Sequence, residues 1–555
     1  MPQADFVVVA NRLPVDRTPD GEGWRRSPGG LVTALEPVMR RAEGAWVGWA
    51  GQPDVTLEPF DFDGTHLVPV ELSAADVQHY YEGFSNDTIW PLYHDVIAEP
   101  TYKRAWWDAY VRVNRRFAEA AAAAAADEAI VWVQDYQLQL VPKMLRELRP
   151  DLTIGYFHHI PFPAYGLYSQ LPWRKQVLEG LLGADVIGFQ RVADAGNFAR
   201  AVRRQLRYET KASGISVPDG EGGTRVALAK AFPISIDAES YVEMAQRPEI
   251  QQRAREIREG LGNPRKILLG VDRLDYTKGI RHRLKAWGEI LEDGRATVED
   301  ATLVQVASPS RERVDAYVQL RDEIEMTVGR INGDHDSTTH TAIRYLHQSY
   351  PREEMVALYL AADVMLVTAL RDGMNLVAKE YVASRIDNRG VLVLSEFAGA
   401  ADEMGSALLI NPHDIDGLKD TIVRALEMPS AEQGRRMRAL RKRVRDHDVE
   451  DWSRRSTTAH RAPRRPPRWT RPSTSLGMPR DRRRRRARGG LDDPRPARRA
   501  RLRRNPRASR RRPDDRPHDP ARPRRRRCPG GAAGHGRRPR VGAFARASPR
   551  DRRAR

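Results

Sequence analysis

Cysteine is almost absent: the single one among 555 residues, Cys528, lies in the arginine-rich C-terminal part, so the body has neither disulfides nor thiolate metal sites. Long apolar runs are missing too. No stretch approaches the roughly 18 apolar residues of a membrane span. The opening "MPQADFVVVANRLP" also lacks the basic region followed by an apolar block that marks an export signal. A cytoplasmic protein without membrane contact is expected. No G-x-x-x-x-G-K-[ST] phosphate loop occurs, and no His/Asp cluster offers a metal-ligand set, so neither an essential metal nor a resident cofactor is expected.

What the chain has in excess is arginine, concentrated in one place. Residues 453–555 hold 38 Arg against 7 Asp, a net of +31, whereas residues 1–452 carry 55 basic and 67 acidic residues, a net of −12. The whole-chain charge of +19 therefore describes the tail. That tail ("RDRRRRRARGG", "ARPRRRRCPGG") has no apolar period of 2 or 3.6 residues and buries too little surface to offset its ordering entropy. A disordered Arg/Pro-rich segment over 453–555 is expected. Basic segments ordinarily point to nucleic acid. This one lacks interleaved aromatics, RGG repeats and heptads, which leaves only non-specific nucleic-acid contact. The abrupt change near "DVEDWSRRSTTAHRAPRRPP" also fits a shifted reading frame of a GC-rich gene.

The body alternates short apolar runs with longer helical patterns, as parallel strands with crossover helices do. Strand candidates are "DFVVVAN", "AIVWVQD", "LTIGYFH", "DVIGFQ" and "RVALAKAFPISI", then "KILLGVD", "ATLVQVAS", "DVMLVTA", "GVLVLS" and "ALLINP". Two doubly wound Rossmann-like α/β domains, residues 1–233 and 234–452, are the simplest fit, with ligands held beyond the strands' carboxyl ends in the cleft between them. The alanine run of residues 118–129 reads as helix. "GEGGT" reads as a hairpin turn, and "FDFDGTHL" as a turn in place of a phosphatase nucleophile motif, because a polar, Pro-broken segment precedes Asp61.

Several strand ends carry chemistry. Gly29 and Gly30 in "SPGGL" permit close approach to a phosphate or form only a turn. Asp135 ends one buried strand, where an unpaired carboxylate is costly, so a ligand or cap role is indicated. His159 in "HHIPFP" reads equally as a ligand contact or as a hydrogen-bonded structural histidine. In "MLVTALRDGMNLVAKEYVASR" a strand ends at Arg371-Asp372-Gly373 and a helix opens near Asn375. Its free amides suit an anion, and Glu380 suits ribose hydroxyls. Arg273 and Lys278 in "LLGVDRLDYTKGI" sit at a neighbouring strand end, either facing the same pyrophosphate or lying in a solvated loop.

Together "NRLP", "SPGGL", "YYEGFSNDTIWPLYH", "VWVQDYQLQLVP", "HHIPFP", "GVDRLDYTKGI", "SPSRERV", "GRING" and "RDGMNLVAKEY" closely resemble, in order, the trehalose-6-phosphate synthase family over residues 4–452. The resemblance implies a glycosyltransferase-B fold and a retaining hexosyltransferase. Glucose would pass from a nucleoside-diphosphate glucose, a co-substrate, to glucose 6-phosphate. It implies that Arg12, Tyr81, Trp90, Asp135 and Arg311 hold glucose 6-phosphate, with Arg12 and Arg311 directed at its phosphate. Gly29, Gly30, Arg273, Lys278, Tyr350 and the run Leu376, Val377, Ala378, Lys379, Glu380 would hold the nucleotide sugar, with Gly373, Met374 and Asn375 beside them. His159 and Asp372 would contact the transferred glucose. Arg273, Lys278, Asp135 and His159 form the implied catalytic set, the two cations neutralising the departing diphosphate. Asp275 between them is expected to pair with a neighbouring cation. A homo-oligomer is expected. A related enzyme with another phosphorylated acceptor, such as glucosylglycerol-phosphate synthase, shares these motifs, and a nucleic-acid binder acting through the tail is the reading from another class. Gln134 and Gln137 stand where many relatives have His. The family's last helix crosses back to brace the N-terminal domain, and "RMRALRKRVRDHDVEDW" reads as its beginning.

Overall fold

Two sheets, the first parallel at its centre with antiparallel pairs at both edges and the second wholly parallel, face each other in the computed structural model, which describes residues 3–461 apart from 19–20, 28–31, 33–34, 36–38, 40–42, 220–221 and 313. Among the described residues, the first sheet has ten strands. They are β1 (Ala4–Arg12), β4 (Ala45–Trp49), β5 (Phe60–Phe62), β6 (Thr65–Pro69), β7 (Ala125–Gln134), β8 (Thr153–His158), β9 (Val186–Phe189), β10 (Thr210–Lys211), β11 (Gly214–Pro218) and β12 (Thr224–Ala231), in the order β10-β11-β12-β9-β8-β7-β1-β4-β6-β5. A separate ribbon pairs β2 (Val15–Arg17) with β3 (Trp24–Arg26). The second sheet comprises β13 (Lys266–Arg273), β14 (Ala301–Ser308), β15 (Ile343–Leu346), β16 (Val364–Val367), β17 (Val391–Ser395) and β18 (Leu408–Ile410), in the order β15-β14-β13-β16-β17-β18 and all parallel. Strands such as β16, with all four residues buried, carry the near-continuous apolar runs of a sheet covered on both faces.

The strand order reverses at β1 in the first lobe, between β4 and β7, and at β13 in the second, between β14 and β16. Crevices open at such reversals. Arg12 ends β1, Asp135 follows β7, and Arg273 ends β13.

Two local expectations change. The alanine run is not all helix: the helix Arg104–Ala124 stops inside it and β7 begins at Ala125, which pairs with Ala4 of β1, so sheet pairing overrides local propensity. "RVALAKAFPISI" is a strand only to Ala231. Phe232 to Ile236 then form the connector between the lobes, held where Gln190 Oε1 accepts Ile234 N (2.9 Å) and Lys379 Nζ donates to Ile234 O (2.8 Å). "FDFDGTHL" is the β5–β6 hairpin, with Asp63 and Gly64 at positive φ (52° and 78°). "GEGGT" lies in the β11–β12 hairpin, with residues 220–221 outside the described part.

The closing helix Val449–Arg461 runs past residue 452, where the folded part was expected to end. Trp452, 2% exposed, packs on Trp132 of β7 (5.2 Å between rings) and Phe157 of β8 (5.3 Å), and its Nε1 donates to Phe232 O at 3.0 Å. Ser456 is 1% exposed on the same face, so the helix binds back to the first lobe beyond the expected limit. The remainder of the arginine-rich segment, with Cys528, lies outside the described residues, as do Gly29 and Gly30.

Candidate active site

Two cavities flank the reversal points. One, of about 370 Å³, is lined by Asn11, Arg12, Asp16, Tyr81, Gln134 and Asp135 among others. The second, of about 300 Å³, is lined by residues of both lobes, including His159, Gln190, Asp272, Arg273, Lys278 and Asp372. Asp135 and His159 tie them together, since His159 N donates to Asp135 Oδ1 at 3.2 Å.

In the first cavity, Arg12 leaves β1 with its guanidinium on Asp16 (2.9 Å) and over Trp49 (5.2 Å). Gly51, at φ 92°, backs it, because a Cβ there would lie 2.3 Å from Arg12 Nη2. Tyr81 comes from the wide π-type helix Val77–Ile89, and Trp90 follows directly, 4% exposed. Asp135 has φ 71° and ψ 172°, a conformation that favours glycine and costs about 1–3 kcal/mol in other residues. Poor solvation pushes its carboxyl up to about 7, against the pull of the Tyr136 and His159 amides and of Arg273 and Arg311.

His159 Nε2 meets Gln134 Oε1 at 2.9 Å, and Gln134 Nε2 donates to Trp132 O at 3.4 Å. The glutamine oxygen only accepts, so the ring proton sits on Nε2 and the Nδ1 lone pair stays available. Burial pushes the His159 pKa down to about 3, which makes the ring neutral.

The second cavity brings two cations, Arg273 and Lys278, together with two carboxylates, Asp272 and Asp372. Lys278 Nζ meets Asp372 Oδ2 at 2.6 Å, with side chains only 11% and 14% exposed. Burial alone would raise the Asp372 carboxyl, but the Lys278 charge and hydrogen bond outweigh it and hold it below its ordinary range. Asn375, at φ 81°, caps the helix Leu376–Ser384 by accepting Ala378 N at 3.1 Å, and Leu376 and Val377 of the first turn line the cavity beside Met374. The helix therefore turns its positive dipole end to the site. Gly373 lets the lobes meet, as a Cβ there would lie 2.2 Å from His159 O.

Not every candidate converges. Lys379 turns away to Ile234 O and Glu403 (2.6 Å), 2% exposed. Glu380 accepts the Tyr359 hydroxyl at 2.8 Å, and burial raises its carboxyl. Tyr350 lies against the second lobe's core and takes a hydrogen bond from Gln348. None of these three side chains lines the cavity, and neither does that of Ala378. Arg311 reaches across the cleft instead, its Cζ 4.0 Å from the Trp90 ring centroid and its Nη2 donating to Tyr136 Oη at 3.1 Å. Asp275 pairs with Arg311 (3.5 Å), as expected. Sequence reading missed Tyr136, Tyr317, the Gln134–His159 bond and the cross-lobe pairs Arg191–Asp402 (2.6 Å) and Arg371–Asp194 (3.5 Å). Only the adjacency of Gln134 and Tyr136 to Asp135 hinted at two of them. Among the described residues, no group of three or more His, Cys, Asp or Glu side chains is arranged to hold a metal ion, and no helix is long and apolar enough to cross a membrane.

Two facing doubly wound lobes, with a charged cavity at one strand reversal and a polar one at the other, together with the likeness to solved trehalose-6-phosphate synthases, place the chain among glycosyltransferases of the GT-B fold. Residues 4–460 match the model of glycosyltransferase family 20, and the chain belongs to that family. It is 59% identical over 465 residues to the trehalose-6-phosphate synthase of Mycolicibacterium gilvum, covering 81% of this chain and 92% of that one. Among solved structures it resembles the UDP-forming α,α-trehalose-phosphate synthase of Burkholderia xenovorans in complex with glucose-6-phosphate, with a TM-score of 0.75 and 33% identity over 82% of this chain and 100% of that one. The Escherichia coli protein bound with UDP-2-fluoro glucose is similar at a TM-score of 0.75 and 32% identity, over 82% and 99% of the two chains.

Proposed function

We propose that this chain transfers glucose from a nucleoside-diphosphate glucose to glucose 6-phosphate with retention, forming α,α-trehalose 6-phosphate and the nucleoside diphosphate. The observation that carries the reading is the convergence of Arg273, Lys278 and the capped start of helix Leu376–Ser384 on one cavity that adjoins Asp135 and Arg12. The relatives named trehalose-6-phosphate synthase, and those solved with glucose-6-phosphate and with UDP-2-fluoro glucose, support the same substrates.

In this reading the bond between the sugar C1 and the diphosphate oxygen breaks, and its electron pair leaves with the diphosphate. Arg273, Lys278 and the helix end meet the charge that develops there, and such preorganised stabilisation is commonly the largest catalytic contribution. The acceptor hydroxyl bonds to C1 from the same face and its proton passes to the leaving phosphate, so no protein nucleophile is needed. Neutral His159 accepts a hydrogen bond from the transferred sugar at Nδ1, and Asp135 orients the acceptor. Arg12 and Arg311 take the acceptor phosphate. Residues 1–233 serve as the acceptor domain and 234–452 as the donor domain, in a cytoplasmic homo-oligomer. The two cations do the charge neutralisation that a metal does elsewhere, so activity is expected to survive exhaustive chelation. Loss restored only by Mg²⁺ or Mn²⁺ would sink that part.

The test is product identification with UDP-, GDP- and ADP-glucose against glucose 6-phosphate and glycerol 3-phosphate. UDP-glucose is the first donor to try, because the Burkholderia relatives are UDP-forming. Trehalose 6-phosphate in the α,α configuration is the expected product. Turnover with glycerol 3-phosphate alone would transfer the reading to the glucosylglycerol-phosphate enzymes.

A further inference from the structure

Between Arg273 and Lys278 in the chain one carboxylate faces three cations. Asp275 lies just beyond β13, with a side chain that has no exposure at all (0%). Its Oδ1 accepts Thr277 N at 2.9 Å, and its Oδ2 accepts the Tyr317 hydroxyl at 2.8 Å. Arg311 Nη1 lies farther off, 3.5 Å from the same Oδ2, and also bonds the Tyr317 oxygen. Burial would raise Asp275, but Arg311, Arg273 and Lys278, in that order, hold it down to about 2, so it is ionised.

Arg311 is held in an unusual way. Its backbone sits at φ 51° and its side chain is 6% exposed, and its guanidinium spans the two lobes, bonding Tyr317 of its own while meeting the face of Trp90 and the hydroxyl of Tyr136 across the cleft. Tyr136 is itself fixed, donating to Asn86 Oδ1 at 2.9 Å. A close bidentate pair with Asp275 would satisfy the guanidinium and weaken its pull on any second anion. The Tyr317 hydroxyl takes the short bond to the carboxylate instead. Arg311 is thereby anchored and only partly neutralised, which suits a group that must still bind a phosphate.

We infer that Asp275 and Tyr317 are positioning residues for acceptor capture: they hold the Arg311 guanidinium across the cleft on Trp90 and Tyr136, and so set affinity for the phosphorylated acceptor without touching it. This rests on the proposed reaction, in which Arg311 meets the acceptor phosphate. The same carboxylate opposes the charge of Arg273 and Lys278 on the donor side. Removing its charge therefore weakens acceptor binding and leaves donor binding unchanged or tighter. A residue that merely stabilises the fold would not split the substrates in this way.

The experiment is steady-state kinetics of the full chain, varying UDP-glucose and glucose 6-phosphate separately, with melting temperature recorded alongside. For Asp275→Asn the KM for glucose 6-phosphate should rise by about tenfold or more, with the KM for UDP-glucose not raised. Tyr317→Phe should give the same split at about threefold, and it decides the matter alone if Asp275→Asn does not fold. Equal rises in both KM values, or unchanged KM values with a lowered melting temperature, would overturn the inference. A wild-type protein that makes no trehalose 6-phosphate would remove the underlying reaction first, before any variant is measured, and the inference with it.

Discussion

Two cations of the cleft, Lys278 and Arg12, are held differently. On the second-lobe side Lys278 is 11% exposed and 2.6 Å from a carboxylate that is also mostly buried, whereas on the first-lobe side Arg12 is 45% exposed and its partner Asp16 29%. A charge held in a poorly solvated cavity acts strongly on a developing charge. An exposed pair is screened and contributes about 0–1 kcal/mol. Burial does not divide all the cations this way, since Arg273 is exposed and Arg311 only 6% exposed, so the contrast is one between Lys278, expected to act on rate, and Arg12, expected to act on affinity.

Removing the buried cation should break the comparison most visibly. Lys278→Ala is expected to lower kcat by about 10²–10³ with a much smaller change in the KM for glucose 6-phosphate, read by steady-state kinetics. The brace between the lobes comes next. Trp452→Ala removes a side chain packed on Trp132 and Phe157 and a hydrogen bond to Phe232, and should cost about 3 kcal/mol in denaturant unfolding. A chain ending at Arg461 should keep that stability, whereas one ending at residue 448 should lose it.

Asp135 sharpens the contrast between stability and function. Its carboxyl is raised to about 7, so the stability it contributes is present in acid and is lost as pH rises through 7. At pH 8 the ionised group is a burden on the free protein. Asp135→Asn should therefore raise unfolding stability by about 1–2 kcal/mol at pH 8, with little change near pH 3, while glucose 6-phosphate binding weakens. Smallest of all is Asp16→Asn. It frees Arg12 from an exposed pair and should shift the KM for glucose 6-phosphate by less than about threefold, with that shift shrinking in high salt.

Much of this architecture was legible in the sequence because parallel strands covered on both faces read as apolar blocks. "KILLGVD", "DVMLVTA" and "GVLVLS" became β13, β16 and β17, and the opening near Asn375 became a capped helix start. Short strands such as β4 and β15 escaped notice, since their apolar runs are brief and are set by pairing with neighbours far away in the chain. Candidates that line the cavities, such as Arg12, Asp135 and Arg273, were legible because they stand at strand ends. What stayed hidden were contacts made by folding alone. Nothing in "DAYVQLRDE" marks Tyr317 as the partner of a carboxylate 42 residues earlier, and nothing in "SPSRERV" shows that Arg311 crosses to Trp90. Likewise "NLVAKEY" does not reveal that Lys379 faces the lobe connector and not the cavity.

The claim at the centre is that the donor side is preformed by protein cations. Calorimetric titration of UDP into the protein in excess EDTA, with no glucose 6-phosphate present, tests it directly. The account predicts saturable binding by the wild-type chain and a loss of about 100-fold or more in affinity for the double variant Arg273→Ala, Lys278→Ala. Equal binding by the two proteins, or binding that appears only when a divalent metal is restored, would contradict it.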